Sequence, residues 1–369
     1  MLEEKIICGI QQIGIGVKDL REAWKWYKDV FGVDVRIFED TNVAELMLPY
    51  TGGKPRKRHA VLAVNMMGGG GFEIWQYVGR EPKAPEEPVL AGDLGIFAAK
   101  IKSPDVKIAY QSLKDKKLSV HNLVKDPGGN DTFFIDDPFG NIFQVVESDA
   151  WFDTGTGKDT GATYGAIIGV SDPDESLKVY SEILGYDIVA YDEEAVFDDM
   201  SSLPGGDRIF RRILLKQGRP PRGSLSPVMG PGEIELIQVL DREPKKIFRD
   251  RYWGDLGFIH LCFDVQGMDA LRRECAEKGF AFTVDSKNLL SGDQSFDMGE
   301  AAGYFSYIED PDGTLIEFVE THRIPVIKEL GLYLNLQKRK PGKPLPNFIL
   351  KALKYSKVKD SYLEQASGS

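Results

Sequence analysis

The 369 residues predict an α+β fold of four βαβββ modules in two homologous halves, with a basic, helical tail at the C-terminus. Three observations lead there. A strand-like run, a helix-like run and further strands begin in the same order near Ile10, Leu94, Tyr164 and Leu256. Short motifs recur between the halves at an offset that is constant within a block and grows from block to block. Turn signals of one type, Asp137-Pro-Phe-Gly140 and Asp310-Pro-Asp-Gly313, feed the last strand of the second and fourth modules.

The first module shows how each element is assigned. Gln11 to Val17 alternates as a strand. Leu20 to Val30 reads as a helix, with Leu20, Ala23, Trp24, Tyr27, Val30 and Phe31 at helical spacing and Gly32 as its stop. Strands follow around Val33 to Phe38, His59 to Val64 and Phe72 to Val78. Between the last two, Gly68 to Gly71 is a turn: no Gly-Lys-Ser/Thr follows, so it is not a phosphate loop. The third module repeats the pattern, since Val17-Lys-Asp19, Tyr27 and Phe31-Gly32 recur as Val170-Ser-Asp172, Tyr180 and Leu184-Gly185. Arg80-Glu-Pro82 and Gly92-Asp-Leu-Gly95 recur as Arg242-Glu-Pro244 and Gly254-Asp-Leu-Gly257. The widening offset places insertions in the second half, where Ser201 to Gly232 and Asn288 to Gly303 are the longest irregular stretches and candidate lids or binding loops. Domains of 1–150 and 151–324 and a tail of 325–369 follow.

Composition narrows the function classes. With 42% hydrophobic and 28% charged residues, the chain has the make-up of a globular protein. Its start, Met1-Leu-Glu-Glu-Lys, is acidic where a secretory signal is basic, and no run approaches a membrane span. Cys8, Cys262 and Cys275 form no metal-ligand spacing and no disulfide framework, so a cytoplasmic location is expected. A net charge of −11 argues against a nucleic-acid partner. The charge is uneven: from Pro325 on, nine cations face Glu329, Asp360 and Glu364, so the tail is basic and the body more acidic than the whole. Phe348, Ile349, Ala352 and Leu353 lie on one helical face of that tail and are expected to dock on the body and not on a membrane. Arg56-Lys-Arg58 and Arg219-Pro-Pro-Arg222 are candidate contacts for an anionic substrate arm.

Gln12-Ile-Gly-Ile-Gly-Val-Lys-Asp-Leu20, Asp310-Pro-Asp-Gly-Thr-Leu-Ile-Glu317 and the βαβββ repeat resemble the vicinal oxygen chelate superfamily, which includes glyoxalase I, bleomycin resistance proteins and extradiol dioxygenases. The resemblance covers roughly residues 8 to 321. It implies two glyoxalase-like domains of curved, antiparallel-rich mixed sheets, with metal ligands on the first and last strands of a module. Carried over, the four modules offer Gln12 and Glu73, Ala98 and Gln144, Gly165 and Glu235, and His260 and Glu317. The internal repeat maps these pairs onto one another. If neighbouring modules share a cavity, neither set is complete. If the halves pair crosswise, Gln12, Glu73, His260 and Glu317 make one full set, and Ala98, Gln144, Gly165 and Glu235 a ruined one.

Three oxygen donors and an imidazole suit one divalent ion, such as Zn, Ni, Mn, Co or Fe. The resemblance then implies a metal-dependent isomerase or lyase moving a proton next to a chelated carbonyl or hydroxyl of a small, anionic substrate, with Glu317 and Glu73 as catalytic carboxylates. Alternatives are a non-haem dioxygenase of the same fold and a metal-free small-molecule binder. The family's oxygenases need a His where Gly165 stands, and its glutathione contacts fall on Gly16, Tyr77 and Leu256, which cannot make them.

Overall fold

A computed structural model describes residues 4–289, 296–297, 302–327 and 332–364. The first module runs β1 (Ile6–Gly16), α1 (Leu20–Phe31), β2 (Val35–Val43), β3 (Lys57–Val64) and β4 (Gly71–Tyr77). The second runs β5 (Gly95–Ser103), α2 (Val106–Asp115), β6 (Val124–Lys125), β7 (Asp131–Asp136) and β8 (Ile142–Glu147). In the third, β9 (Thr163–Gly169) is followed by α3 (Pro173–Leu177), which widens into a π-helical stretch, Lys178–Ile183, and by β10 (Ile188–Ala195), β11 (Phe210–Lys216), α4 (Ser226–Met229) and β12 (Glu233–Val239). The fourth comprises β13 (Gly257–Gln266), α5 (Met268–Glu277), β14 (Val284–Asp285), α6 (Ser286–Leu289), β15 (Phe296–Asp297), β16 (Ala302–Glu309) and β17 (Leu315–Ile327). Beyond it lie β18 (Leu332–Asn335), α7 (Asn347–Lys351) and α8 (Asp360–Leu363).

The modules pair crosswise. One sheet has the order β14-β16-β17-β13-β1-β4-β3-β2, joining the fourth module to the first through antiparallel β13 and β1. The other has the order β10-β11-β12-β9-β5-β8-β7-β6, joining the third to the second through β9 and β5. Each sheet thus takes one module from each half. Helices α1, α2, α3 and α5 pack between the two sheets in a single core that includes Leu20, Trp24, Tyr27, Val106, Tyr180 and Leu271.

Local chemistry explains the elements. The Asp19 carboxylate caps α1 by accepting from the amides of Arg21 and Glu22, and Gly32 ends it at φ 65°. Asp105 and Asp172 cap α2 and α3 in the same way. Helix α5 starts at a glycine, and Glu320 supplies the missing cap, accepting from the amides of Gly267 and Met268. The repeated Asp-Pro-x-Gly turns do more than reverse the chain. Asp137 accepts the Tyr27 hydroxyl at 2.7 Å, and Asp310 accepts that of Tyr180 at 2.8 Å, so each turn is tied to a helix of the preceding module.

The other repeated motifs meet across the halves. Arg80 forks onto Asp255 at 2.5 and 3.0 Å, while Arg242 holds Asp93 at 2.7 Å. Backbone amides of Lys83 and Lys245 complete the two clamps. Both aspartates are buried.

Two stretches differ from expectation. Ser201 to Gly232 contains β11, which the sequence disguises as a loop because Arg211 and Arg212 interrupt its apolar pattern; Arg212 is wholly buried among carboxylates. The tail is helical only in short pieces. It docks through Leu350 and Leu353, and the Phe348 side chain is 75% exposed. Ion pairs of Lys351 with Asp153 and Lys357 with Asp34 hold it to the body. Most of Asn288 to Gly303 lies outside the described residues.

Removing the guanidinium in Arg80→Ala leaves the Asp255 charge buried with only backbone donors. The expected loss is about 3 kcal/mol of unfolding free energy, measured by urea titration.

Candidate metal centre

The register of four adjacent strands assembles the site. Gly14 of β1 stands level with Glu73 of β4 on one side and His260 of β13 on the other. Two residues along, Cys262 stands level with Gln12 on one side and Glu317 of β17 on the other. Side chains two apart share a face. Gln12, Glu73, His260 and Glu317 therefore converge from four strands, and all four are buried.

Gly14 makes the meeting possible. A Cβ there would lie 2.5 Å from His260 Cε1, inside the imidazole. The missing side chain is the space into which the ring leans to reach Glu73.

His260 Nε2 lies 3.2 Å from Glu73 Oε2 and 3.1 Å from Glu317 Oε2. Gln12 Nε2 lies 3.2 and 3.4 Å from the same two oxygens. The donor atoms of Glu73, His260 and Glu317 fall within 4.8 Å of one another. Donors bound at about 2.1 Å to one ion stand roughly 3.0–3.4 Å apart, which is the spacing seen. Two buried atoms of the centre lack a hydrogen-bond partner among the described residues, His260 Nε2 and Gln12 Oε1. Nε2 is close to both carboxylates yet aligned with neither, and turning the Gln12 amide about its last bond would bring Oε1 where Nε2 now sits. The residues fit a divalent cation.

Three further residues shape the centre. The Tyr307 hydroxyl donates to Glu317 Oε1 at 2.8 Å. The Trp253 indole lies nearly parallel to the imidazole, at 17°, beside it and not over its face, with the ring centroids 6.4 Å apart. Its N–H is 3.4 Å from His260 Nδ1, too long to fix the tautomer. Burial alone would lower the His260 pKa, but Glu317 and Glu73 outweigh it and raise it to about 10. The coupled Glu317 carboxyl is lowered in turn, with burial opposing and the His260 charge prevailing. Without an ion, an imidazolium is what holds the two carboxylates together. Sequence reasoning missed Tyr307, Trp253 and Gly14: the aromatics look like core, and a strand glycine carries no sign of the ring it admits.

The equivalent positions in the other sheet hold no such centre. Ile167 stands where Gly14 does, level with Ala98 and Glu235, and Gly165 stands level with Lys100. Ala98 and Ile167 belong to an apolar cluster. Glu235 is met by Arg212 at 2.6 Å and Lys100 at 2.8 Å, and Arg212 also reaches Asp199 at 2.7 Å. Burial would raise the Glu235 pKa, but Arg212 and Lys100 hold it down at about 2. Two protein cations occupy the place of a metal ion.

The glyoxalase/bleomycin resistance protein/dioxygenase superfamily model matches residues 9–145 and 164–318. The chain belongs to this superfamily. Among solved structures, a putative dioxygenase from Bacillus subtilis subsp. subtilis str. 168 is similar at 14% identity and a TM-score of 0.54, covering 85% of this chain and 86% of that one. Glyoxalase I from Zea mays is similar at 15% identity and a TM-score of 0.51, covering 86% and 92%. At such identities the likeness is one of fold. No curated protein sequence matches the chain. Among the described residues, no helix is long and apolar enough to cross a membrane.

Metal-free protein titrated with Zn²⁺ at pH 7.5 is expected to take up one ion per chain and release about one proton, the one on His260. Isothermal titration in buffers of different ionisation enthalpy measures both numbers. His260→Ala abolishes uptake. Glu235→Gln leaves uptake unchanged but lowers stability by about 3 kcal/mol, because Arg212 and Lys100 lose their shared partner.

Proposed function

We propose that the protein is a metal-dependent, glyoxalase-like isomerase or lyase that moves a proton on the carbon next to a chelated carbonyl or hydroxyl. The observation that carries this reading is the buried Gln12/Glu73/His260/Glu317 cluster at the wall of a cavity of about 300 Å³. A divalent ion held there supplies Lewis acidity toward a substrate oxygen.

The residues divide the remaining work. His260 and Gln12 bind. Glu317 is held at both oxygens, by Tyr307 and by Gln12, and is the fixed carboxylate. Glu73 is hydrogen-bonded through Oε2 by Gln12 and lines the cavity. It is the freer of the two and the better base, taking a proton from carbon and returning it to the neighbouring atom. Trp253 and Tyr307 exclude water from the centre.

The cavity favours an apolar substrate over an anionic one. Its walls include Phe38, Leu46, Met47, Leu62, Val228 and Met229. Arg58 is the one cation among the described residues that line it, and Asp40 already engages it. Arg56 donates to the Thr51 carbonyl and lies over the Tyr252 ring.

The test uses 2-hydroxyacetophenone, an apolar α-hydroxyketone, in D₂O with Zn²⁺-, Ni²⁺- or Mn²⁺-loaded protein, following loss of the carbon-bound proton by NMR. Exchange is expected with at least one metal, at least about 100-fold slower in Glu73→Gln, the order of a lost general base. Absence of bound metal, together with no effect of His260→Ala, would overturn the enzyme reading in favour of a binding protein. Oxygen uptake with catechols, in place of exchange, would assign the dioxygenase chemistry instead.

A further inference from the structure

The cavity has a second polar end. Glu317, Val319 and Thr321 alternate onto one face of β17, and all three line it. At about 3.3 Å per residue, Thr321 lies roughly 13 Å along the strand from Glu317. Beside it is Gln11. Ile10 pairs with Phe263 and Gln12 with Cys262, so Gln11 is the extra residue of a β-bulge. That bulge is why two neighbouring glutamines both reach the cavity.

Gln11 and Thr321 are organised by a carboxyl behind them. Gln11 Nε2 donates to Asp264 Oδ1 at 3.2 Å and to Thr321 Oγ1 at 3.3 Å, and Thr321 Oγ1 donates to Asp264 Oδ1 at 3.2 Å. Asp264 is 3% exposed, and among the described residues no ion pair accompanies it. Burial pushes its carboxyl up to about 7, against hydrogen bonds from Cys8, Thr321 and Gln11. A buried carboxyl without a cation is costly to keep, and here it fixes two side chains at a cavity wall.

The hydrogen-bond directions say what the cluster can take. With Asp264 ionised, above its raised pKa, Thr321 spends its only hydroxyl proton on it, and the Gln11 amide nitrogen donates inside the cluster. Gln11 Oε1 has only the Cys262 thiol, at 3.8 Å. Facing the cavity are acceptors. Val319 separates Thr321 from Glu317 on β17, and Leu62, Val64, Ile324 and Leu353 are among the apolar residues that line the cavity.

We infer that Gln11 and Thr321, backed by Asp264, form a distal subsite for a hydroxyl or amine donor on an elongated, otherwise apolar substrate whose other end chelates the metal. This rests on the metal-dependent reading above. A substrate ending in a carboxylate meets only acceptors and Asp264 there, and is discriminated against.

Hydroxamates with different tails test the inference on Zn²⁺-loaded protein by isothermal titration. Acetohydroxamate reports the metal alone. Octanohydroxamate is expected to bind at least about 10-fold tighter, from burial of its methylenes. ω-Hydroxyoctanohydroxamate keeps that affinity, and suberic monohydroxamate, which ends in a carboxylate, loses about 10-fold or more. Thr321→Val, which keeps the shape, weakens the ω-hydroxy probe about 10-fold while leaving acetohydroxamate unchanged. Val319→Phe shortens the cavity and removes the advantage of octanohydroxamate over acetohydroxamate.

The failures are distinct. No binding of acetohydroxamate or Zn²⁺ overturns the metal reading. Binding of acetohydroxamate with no gain from the longer tail overturns the elongated cavity. Equal binding of ω-hydroxy and carboxylate probes, or no effect of Thr321→Val on the ω-hydroxy probe, overturns the donor subsite.

Discussion

The antiparallel pairing of β1 with β13 is the contact on which the site depends. It joins the N-terminal module to the last one and sets His260 opposite Gly14 and Cys262 opposite Gln12. Parallel partners then place Glu73 and Glu317 on the same two levels. A slip of one residue in this pairing would put Gln12 and Glu73 on the opposite face of the sheet from His260 and Glu317. The bulge at Gln11 adds what regular pairing cannot, a second glutamine on the cavity side.

The two sheets meet one problem, buried carboxylates at equivalent strand positions, in different ways. Around Glu235, Arg212 and Lys100 provide fixed positive charge, and apolar Ala98 and Ile167 fill the rest. The charges are matched within the protein, which makes the arrangement structural. Around Glu73 and Glu317 the positive charge is one imidazole that can lose its proton, next to an open cavity. A buried acidic pair whose counter-charge is removable can accept a cation; one locked by arginine cannot, since the guanidinium does not deprotonate.

Much of this was legible in the sequence because the repeat was. Equivalent positions narrowed the candidate ligands to four pairs, and only crosswise pairing gave a full set; the modules do pair crosswise in the sheets. The helix of the first module lies where its apolar spacing put it, one residue longer at the C-terminal end. What could not be read depended on contacts between distant segments. Arg212 broke the strand pattern of β11 because its partners, Glu235 and Asp199, are fixed only once the sheet forms. Tyr307 alternates like any core aromatic until Glu317 is seen beside its hydroxyl. In the tail, the helical face was read over too long a helix, so Phe348 was assigned to an interface that Leu350 and Leu353 make.

The repeated Arg-Glu-Pro and Gly-Asp-Leu-Gly motifs show how a device for joining modules becomes part of a site. In both sheets the arginine of one half clamps the aspartate of the other. In one sheet Asp93 also accepts the Leu90 amide, and the turn it fixes carries Ala91 into an apolar cluster. In the other, Asp255 also accepts the Tyr252 amide, fixing the turn that carries Trp253, and the Tyr77 hydroxyl donates to the Trp253 carbonyl at 2.5 Å. Trp253 is thereby pressed against Trp75 and set edge-on beside His260. Gly254 is required next to it, since a Cβ there would lie 2.0 Å from the Trp75 ring. The clamp that holds the first module to the last therefore also positions the indole beside the one imidazole in the centre, so loosening the joint disturbs His260 before it separates the modules.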